Sequence, residues 1–350
     1  MSFITLNAED FVVSSDSIVS TLWSDNTTAM TSFFTSSTSP TNNSYLPVYQ
    51  RSTTLYPSDL SQFSISYGQV NGSGSAPINS LVPGLSPTRI TYGQFRTLVN
   101  GDENTNISFG TGNTNSPDFY VININRANYK EKLFLGTFNL ALSGSDGVAS
   151  SSIQLTNNSV NVTTLTYCDA GRVFDIVSGS NGAATTSTIT SGSTAGYTVS
   201  GSYGKFLPDV GLILLNSRAL SLSCSLGGIG LQPGTSNTNP TLLNTQIGLF
   251  NAINKANGVG GFKLNSEETI TSDYVFVRIK NNDFNYTTNP SMISGSGEFY
   301  YPTLVNNPQT FITTVGLYNT NNELLAVAKL SKPLPKDFTK EALIRVKLDF

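Results

Sequence analysis

The constraint that governs this chain is its punctuation. Short runs rich in β-branched and aromatic residues recur along its length, each closed off by clusters of Gly, Ser, Asn and Thr. Residues 119–124, 138–142, 160–167, 172–177, 210–215, 274–279, 311–317, 324–328 and 342–348 are such runs. β-branched and aromatic side chains suit a pleated surface. Gly and Asn between them supply positive φ, and Ser and Thr supply local hydrogen bonds, which is turn chemistry. In 138–142 the alternation is strict and puts Phe138, Leu140 and Leu142 on one face. Repeated short strands at this spacing predict a mainly β fold. Its sheets are antiparallel and sandwich- or meander-like, with a few short helices and an extended N-terminal arm.

Helical spacing is confined to a few stretches. Leu242, Leu243, Ile247, Phe250 and Ile253 predict a helix over 242–256, ended by Asn257 and Gly258. Ser15 or Asp16 would cap a short helix running to Trp23 that buries Ile18, Val19 and Leu22. Residues 91–99 fit a helix through Tyr92, Phe95 and Leu98 or Val99, and a short helix after Asp337 competes with a strand. The Ser/Thr/Asn/Pro tract 35–44 reads as a linker, 178–201 as a long hairpin tip, and 232–240 as the strongest break. Three segments follow: an N-terminal arm with its helix (1–50), a β-rich domain (51–231), and a C-terminal β domain with one helix (232–350).

Composition then limits the chemistry. The 350 residues include no histidine, which removes Ser-His-Asp and Cys-His machinery and histidine-held metal centres. With 19 Lys+Arg against 22 Asp+Glu the net charge is −3, the wrong sign for a nucleic-acid partner. The N-terminal stretch carries Glu9, Asp10 and Asp16 where a signal peptide needs a basic start, and no run of about 18 apolar residues exists to span a membrane. Cys168 and Cys224 lack CxxC spacing and read as free thiols. The balance is a non-enzymatic structural or binding protein without a cofactor.

Four features bear on chemistry. Asp102, Glu103, Asn104 and Asn106 gather oxygen donors but lack the DxDxDG alternation of a calcium loop, so they read as a solvated turn. Glu267, Glu268 and Asp273 offer the carboxylates a glycoside hydrolase needs, yet surface acids are the ordinary reading. Lys130, Glu131 and Lys132, after Arg126, mark an exposed turn with the alternative of a partner contact. Tyr45, Tyr49, Tyr56, Tyr67, Tyr300 and Tyr301 lie among polar residues, as sugar-stacking platforms do, although Tyr is equally at home in cores and interfaces.

Residues 311–333 read as two strands around a polar turn at 319–322, with a proline stop beyond. This hairpin resembles the T-x-[VI]-G-[LI]-[YF] … L-[LI]-A-V segment of tail-fibre, tail-collar and baseplate proteins of tailed bacteriophages. The ending 336–350, the stretch 125–132 and the Ser/Thr/Asn/Gly bias are similar to virion structural proteins of large contractile-tailed phages of marine cyanobacteria. The resemblance implies a multicopy assembly component of the tail or baseplate, located in the virion and assembled in host cytoplasm. Its partners would be other virion proteins and copies of itself. The alternative is a capsid-decorating or receptor-binding protein that recognises a host surface glycan. The candidate assembly interface comprises Phe3, Ile4, Leu6, Arg126, Tyr129, Phe311, Val315, Leu317, Tyr318 and Phe350.

Overall fold

The computed structural model describes residues 3–30, 34–35, 45–50, 61–72, 87–110, 115–185, 192–194, 197–199, 201–232, 239–255, 261–285 and 289–349. The chain divides into two compact units: a central unit, 18–268, and a terminal unit built from 1–17 and 269–350. This division does not follow the expected segments 1–50, 51–231 and 232–350, because the first and last stretches of chain fold into the same small unit.

After one 3-10 turn the chain enters β1 (Phe11–Thr21). Next come β2 (Ala29–Met30), β3 (Phe34–Thr35), β4 (Tyr45–Tyr49), β5 (Ser61–Gln69), helix α1 (Thr88–Asn100) and β6 (Asp118–Ile124). Strands β3 to β6 pair in succession, each antiparallel to the next. Beyond β7 (Lys132–Leu133) lie β8 (Asn139–Ser145), β9 (Ser150–Asn157), β10 (Thr166–Cys168), β11 (Gly171–Ser180) and β12 (Ala183–Ala184). A small hairpin of β13 (Gly192–Thr194) and β14 (Tyr197–Val199) precedes β15 (Gly204–Leu207) and β16 (Leu212–Leu215). Strands β8, β9, β11, β15 and β16 pair antiparallel in that order, and β16 lies antiparallel to β6. That last pairing joins two meanders into one sheet. Helices α2 (Ser217–Ser221) and α3 (Asn239–Lys255) follow, then β17 (Phe262–Lys263), which continues the sheet past β8 to β2. The fold is mainly β, with large antiparallel sheets and short helices.

The sheet curls. Phe63 of β5 and Phe262 of β17 are seven strands apart in sheet order, which on a flat sheet means about 34 Å at roughly 4.8 Å per strand. Their ring centroids are 5.6 Å apart, edge to face. Trp23 sits between the sheet's ends, 6.2 Å from Phe63 and 5.1 Å from Phe262. Helix α3 contributes Phe250 and Ile253 to the same core, with Ile247 packed against it, as its spacing predicts, and Leu249 besides, while Leu242 and Leu243 fall where no side chain is described. Phe138, Leu140 and Leu142 all point into this core.

The middle strands are buried on both faces. In β6, Tyr120, Ile122 and Ile124 face the concave core, while Phe119 and Val121 face a second cluster under α1 with Tyr92, Ile107 and Phe109. This explains why 119–124 reads as a near-continuous apolar run: a strand covered on both sides has no solvent face to mark with polar residues. Helix α1 stops at Gly101, whose φ of +66° lets its N–H bond the Thr97 carbonyl at 2.9 Å.

Two expectations fail locally. The predicted helix from Ser15 or Asp16 to Trp23 is strand β1, leaving Ile18 and Val19 exposed and only Leu22 and Trp23 in the core. Val12, Val13, Ile18, Val19 and Thr21 are β-branched, and one helical turn of apolar spacing cannot offset that preference or the cost of nucleation. The run 160–167 is mostly turn, with β10 beginning only at Thr166. Asn157 Oδ1 takes the N–H of Ser159, and the Asn161 N–H bonds the Asn158 carbonyl, so local turn bonds win the backbone. After Asp337 the chain turns and enters a strand, with no helix.

In the terminal unit, β18 (Asn265–Ile279) lies between β1 and β21 (Ala342–Asp349), and its pairing with β21 runs antiparallel from Ser272 to Ile279. Helix α4 (Thr303–Asn306) precedes the separate hairpin of β19 (Thr310–Tyr318) and β20 (Leu324–Lys336), the segment that carries the family resemblance. Asn319 Oδ1 accepts the N–H groups of Asn321 and Glu323 and so shapes its turn. Ile312, Val315, Leu317 and Ala328 pack with Ile4 and Leu6 against Val275, Val277, Ile279 and Val346.

Candidate interaction surfaces

The candidate interface residues separate into two sets. In the terminal unit, Ile4, Leu6, Val315 and Leu317 are partly buried and pack against its small core. Phe311, 62% exposed, and Tyr318 remain on the surface, and the exposed Phe3 ring meets Tyr318 edge to face with centroids 5.1 Å apart. Around them Leu324, Leu325 and Val327 of β20 are also exposed, so the hairpin's outer side is largely apolar. Phe350 lies outside the described residues.

Strand β1 sets exposed apolar side chains among Ser, Thr and Asp. It is an edge strand of its sheet among the described residues, and ten of its eleven residues are exposed. Phe11, Val12 and Val13 stand in the open, Val13 at 66%, and Asp16 is the strand's single charge. Sequence reasoning missed this surface by reading the segment as a helix, although its β-branched content was the signal. Charge lies at the strand's start, where Asp10, nearly buried, faces Arg278 at 3.4 Å. On the sheet's other edge, Arg345 and Lys347 of β21 are exposed, with the Arg345 guanidinium 5.4 Å from the Tyr274 ring centroid.

A buried ammonium fixes the base of the hairpin. Lys336, the last residue of β20, is 0% exposed, and its Nζ donates to the Asn281 carbonyl at 2.8 Å, Asn285 Oδ1 at 2.9 Å and the Asp337 carbonyl at 2.9 Å. A charge taken from water must have its donors satisfied, and three acceptors match its three protons. The same turn holds Phe284 at φ +52°, unusual for a bulky residue.

Arg126 and Tyr129 belong to the central unit. The Arg126 guanidinium lies 4.5 Å from the Tyr129 ring centroid and donates to the carbonyls of Tyr129 and Lys130. Burial pushes the Tyr129 phenol up; the Arg126 charge opposes this and Asp209 adds to it. Beside them a cavity of about 450 Å³ opens between Tyr45, Ser64, Asn123 and Asp209. Asp209 is anchored from behind. Arg172 donates to it from its backbone N–H at 2.8 Å and its Nη2 at 2.6 Å, so that although burial alone would raise the Asp209 carboxyl, these bonds and the Arg172 charge hold it below its usual value. Gly211, at φ +70°, closes the turn; a Cβ there would lie 2.8 Å from the Tyr129 hydroxyl.

The remaining charged groups are structural. Lys130 pairs with Glu268 at 2.5 Å on the surface, which removes Glu268 from any free carboxylate pair. Asp102 accepts from the Thr105 hydroxyl and from the Asn104 and Thr105 N–H groups, and the Thr105 hydroxyl bond is the largest cause of its lowered carboxyl. Among the described residues no group of three or more His, Cys, Asp or Glu could hold a metal ion. Cys168 and Cys224 are free and partly buried. Asp118, fully buried, takes Arg218 Nε at 2.8 Å and the Tyr67 hydroxyl at 2.7 Å, tying β5 and β6 to α2. Of the other tyrosines, Tyr300 and Tyr301 are exposed and Tyr56 lies outside the described residues. No family model, curated protein or solved structure matches the chain.

Proposed function

We propose that this protein is a non-enzymatic structural component of a bacteriophage virion, of its tail or baseplate, that works by multicopy strand-to-strand assembly. The observation that carries the reading is β1: an eleven-residue exposed edge strand with one charge, whose Phe11, Val12, Val13, Ile18 and Val19 stand in solvent. Soluble proteins blunt such edges with charges, bulges or prolines, because an open edge recruits other strands. Leaving this one bare is consistent with a partner strand that covers it in the assembled state.

The occupant is a second copy of the chain. The opposite edge of the same sheet, β21, carries Arg345 and the ion pair Lys347–Asp349, 2.9 Å apart, which leaves the Arg345 charge to face an edge whose one charge is Asp16. Such a contact is heterologous and propagates into a ring or a stack, which suits a tail or baseplate. The apolar outer side of the β19–β20 hairpin, the segment resembling phage tail proteins, offers a second contact in the same unit. Peptide mass spectrometry of purified particles of the phage that encodes the chain tests the assignment. Many copies per particle are expected, and absence from the particle refutes it.

A further inference from the structure

The cavity beside Arg126 and Tyr129 has the polar groups of a ligand site, and its one cation and one carboxylate balance in formal charge. Its volume, about 450 Å³, is within the roughly 300–1,000 Å³ of small-molecule pockets. Ser64 of β5 stands opposite Asn123 of β6 in the sheet register, and both line the cavity. Tyr45, 50% exposed, adds an aromatic ring and a hydroxyl. The guanidinium of Arg126 spends two of its N–H groups on backbone carbonyls, and both Asp209 oxygens accept from Arg172.

That combination selects among ligand classes. A phosphate or nucleotide is held by converging cations, and the described lining offers one, Arg126, together with the carboxylate of Asp209. A divalent ion would need free carboxylate oxygens. A neutral polyhydroxylated ligand needs neither: its hydroxyls donate and accept, matching an amide and hydroxyls, and the C–H face of a sugar ring packs on a tyrosine. We propose that this cavity binds a short neutral saccharide, with Tyr45 as the stacking ring and Asn123 and Ser64 as the hydrogen-bonding groups. The site belongs to the central unit and is independent of the β1 edge.

The test is an array of neutral hexose, N-acetylhexosamine and deoxyhexose oligosaccharides alongside sialylated and phosphorylated ones. It is probed with the full-length protein, Tyr45→Ala, Asn123→Leu and Val13→Lys. Retention of a subset of neutral glycans is expected, reduced about tenfold or more in Tyr45→Ala and in Asn123→Leu. Both side chains are exposed, so melting curves should match the parent. Val13→Lys keeps full glycan retention even where it abolishes assembly, which separates this site from the assembly reading. No retention of any neutral glycan, retention of charged glycans alone, or retention indifferent to both cavity substitutions overturns the proposal.

Discussion

Replacing Arg218 with methionine is the perturbation whose cost the structure specifies best. The Asp118 side chain is 1% exposed and has two side-chain partners, the Arg218 Nε at 2.8 Å and the Tyr67 hydroxyl at 2.7 Å. Arg218→Met leaves a buried carboxylate with the tyrosine alone, and removing one partner of a buried pair costs about 3–5 kcal/mol. Asp118→Leu takes the buried counter-charge from the guanidinium and also lowers stability. The double variant removes both charges and orphans only the Tyr67 hydroxyl, for about 1–3 kcal/mol, well short of the sum of the singles. Trp23, the chain's one tryptophan and 1% exposed in the central core, reports the transition by fluorescence. With a urea slope of about 2–3 kcal/mol/M, a loss of 4 kcal/mol lowers the midpoint by roughly 1.3–2 M. A shift under about 0.3 M for Arg218→Met, or a double variant as unstable as the two singles added, would refute the reasoning.

Three further outcomes are expected. Asp146 is held at a pKa of about 2 by the N–H groups of Ala149, Cys224 and Val148. Its stabilising contribution is present above the unfolded value near 3.8 and is lost as pH falls through about 2, so in acid titrations Asp146→Asn should lose less stability than the parent over that window. Lys336→Met leaves the Asn281 carbonyl and Asn285 Oδ1 without this donor, at a cost of about 2–4 kcal/mol, and hydrogen exchange should quicken across 310–336. Gly211→Ala places a Cβ against the Tyr129 hydroxyl at positive φ and should lower stability by about 1–3 kcal/mol in thermal melts.

Strand content was legible wherever apolar alternation met turn residues. Residues 138–142 gave both the element and the core face of Phe138, Leu140 and Leu142, and 342–348 gave the element, because apolar residues recur at the element's own period. Helix α3 was legible from the Ile247, Phe250 and Ile253 spacing for the same reason. The curl of the sheet was not, since the approach of Phe63 to Phe262 depends on strand order, which periodicity does not encode. Nor was the division into units, which rests on β18 and β21 pairing far from β1 in sequence. Among the candidate site residues, Phe311 shares the odd positions of Val315 and Leu317, and the irregular register between Ile312 and Thr314 turns it outward while they turn inward, a break that period alone does not encode. The Arg126–Tyr129 cavity needed the turn at Gly211 brought alongside, a contact no local pattern announces.

Sedimentation equilibrium of the purified chain beside Val13→Lys tests the assembly account most directly. Val13 is 66% exposed on the β1 edge, so a charge there should leave the subunit folded while blocking strand addition. The account predicts concentration-dependent oligomers for the parent chain and a monomer for Val13→Lys. A parent chain that stays monomeric at every concentration, or a Val13→Lys variant that assembles equally well, would contradict it.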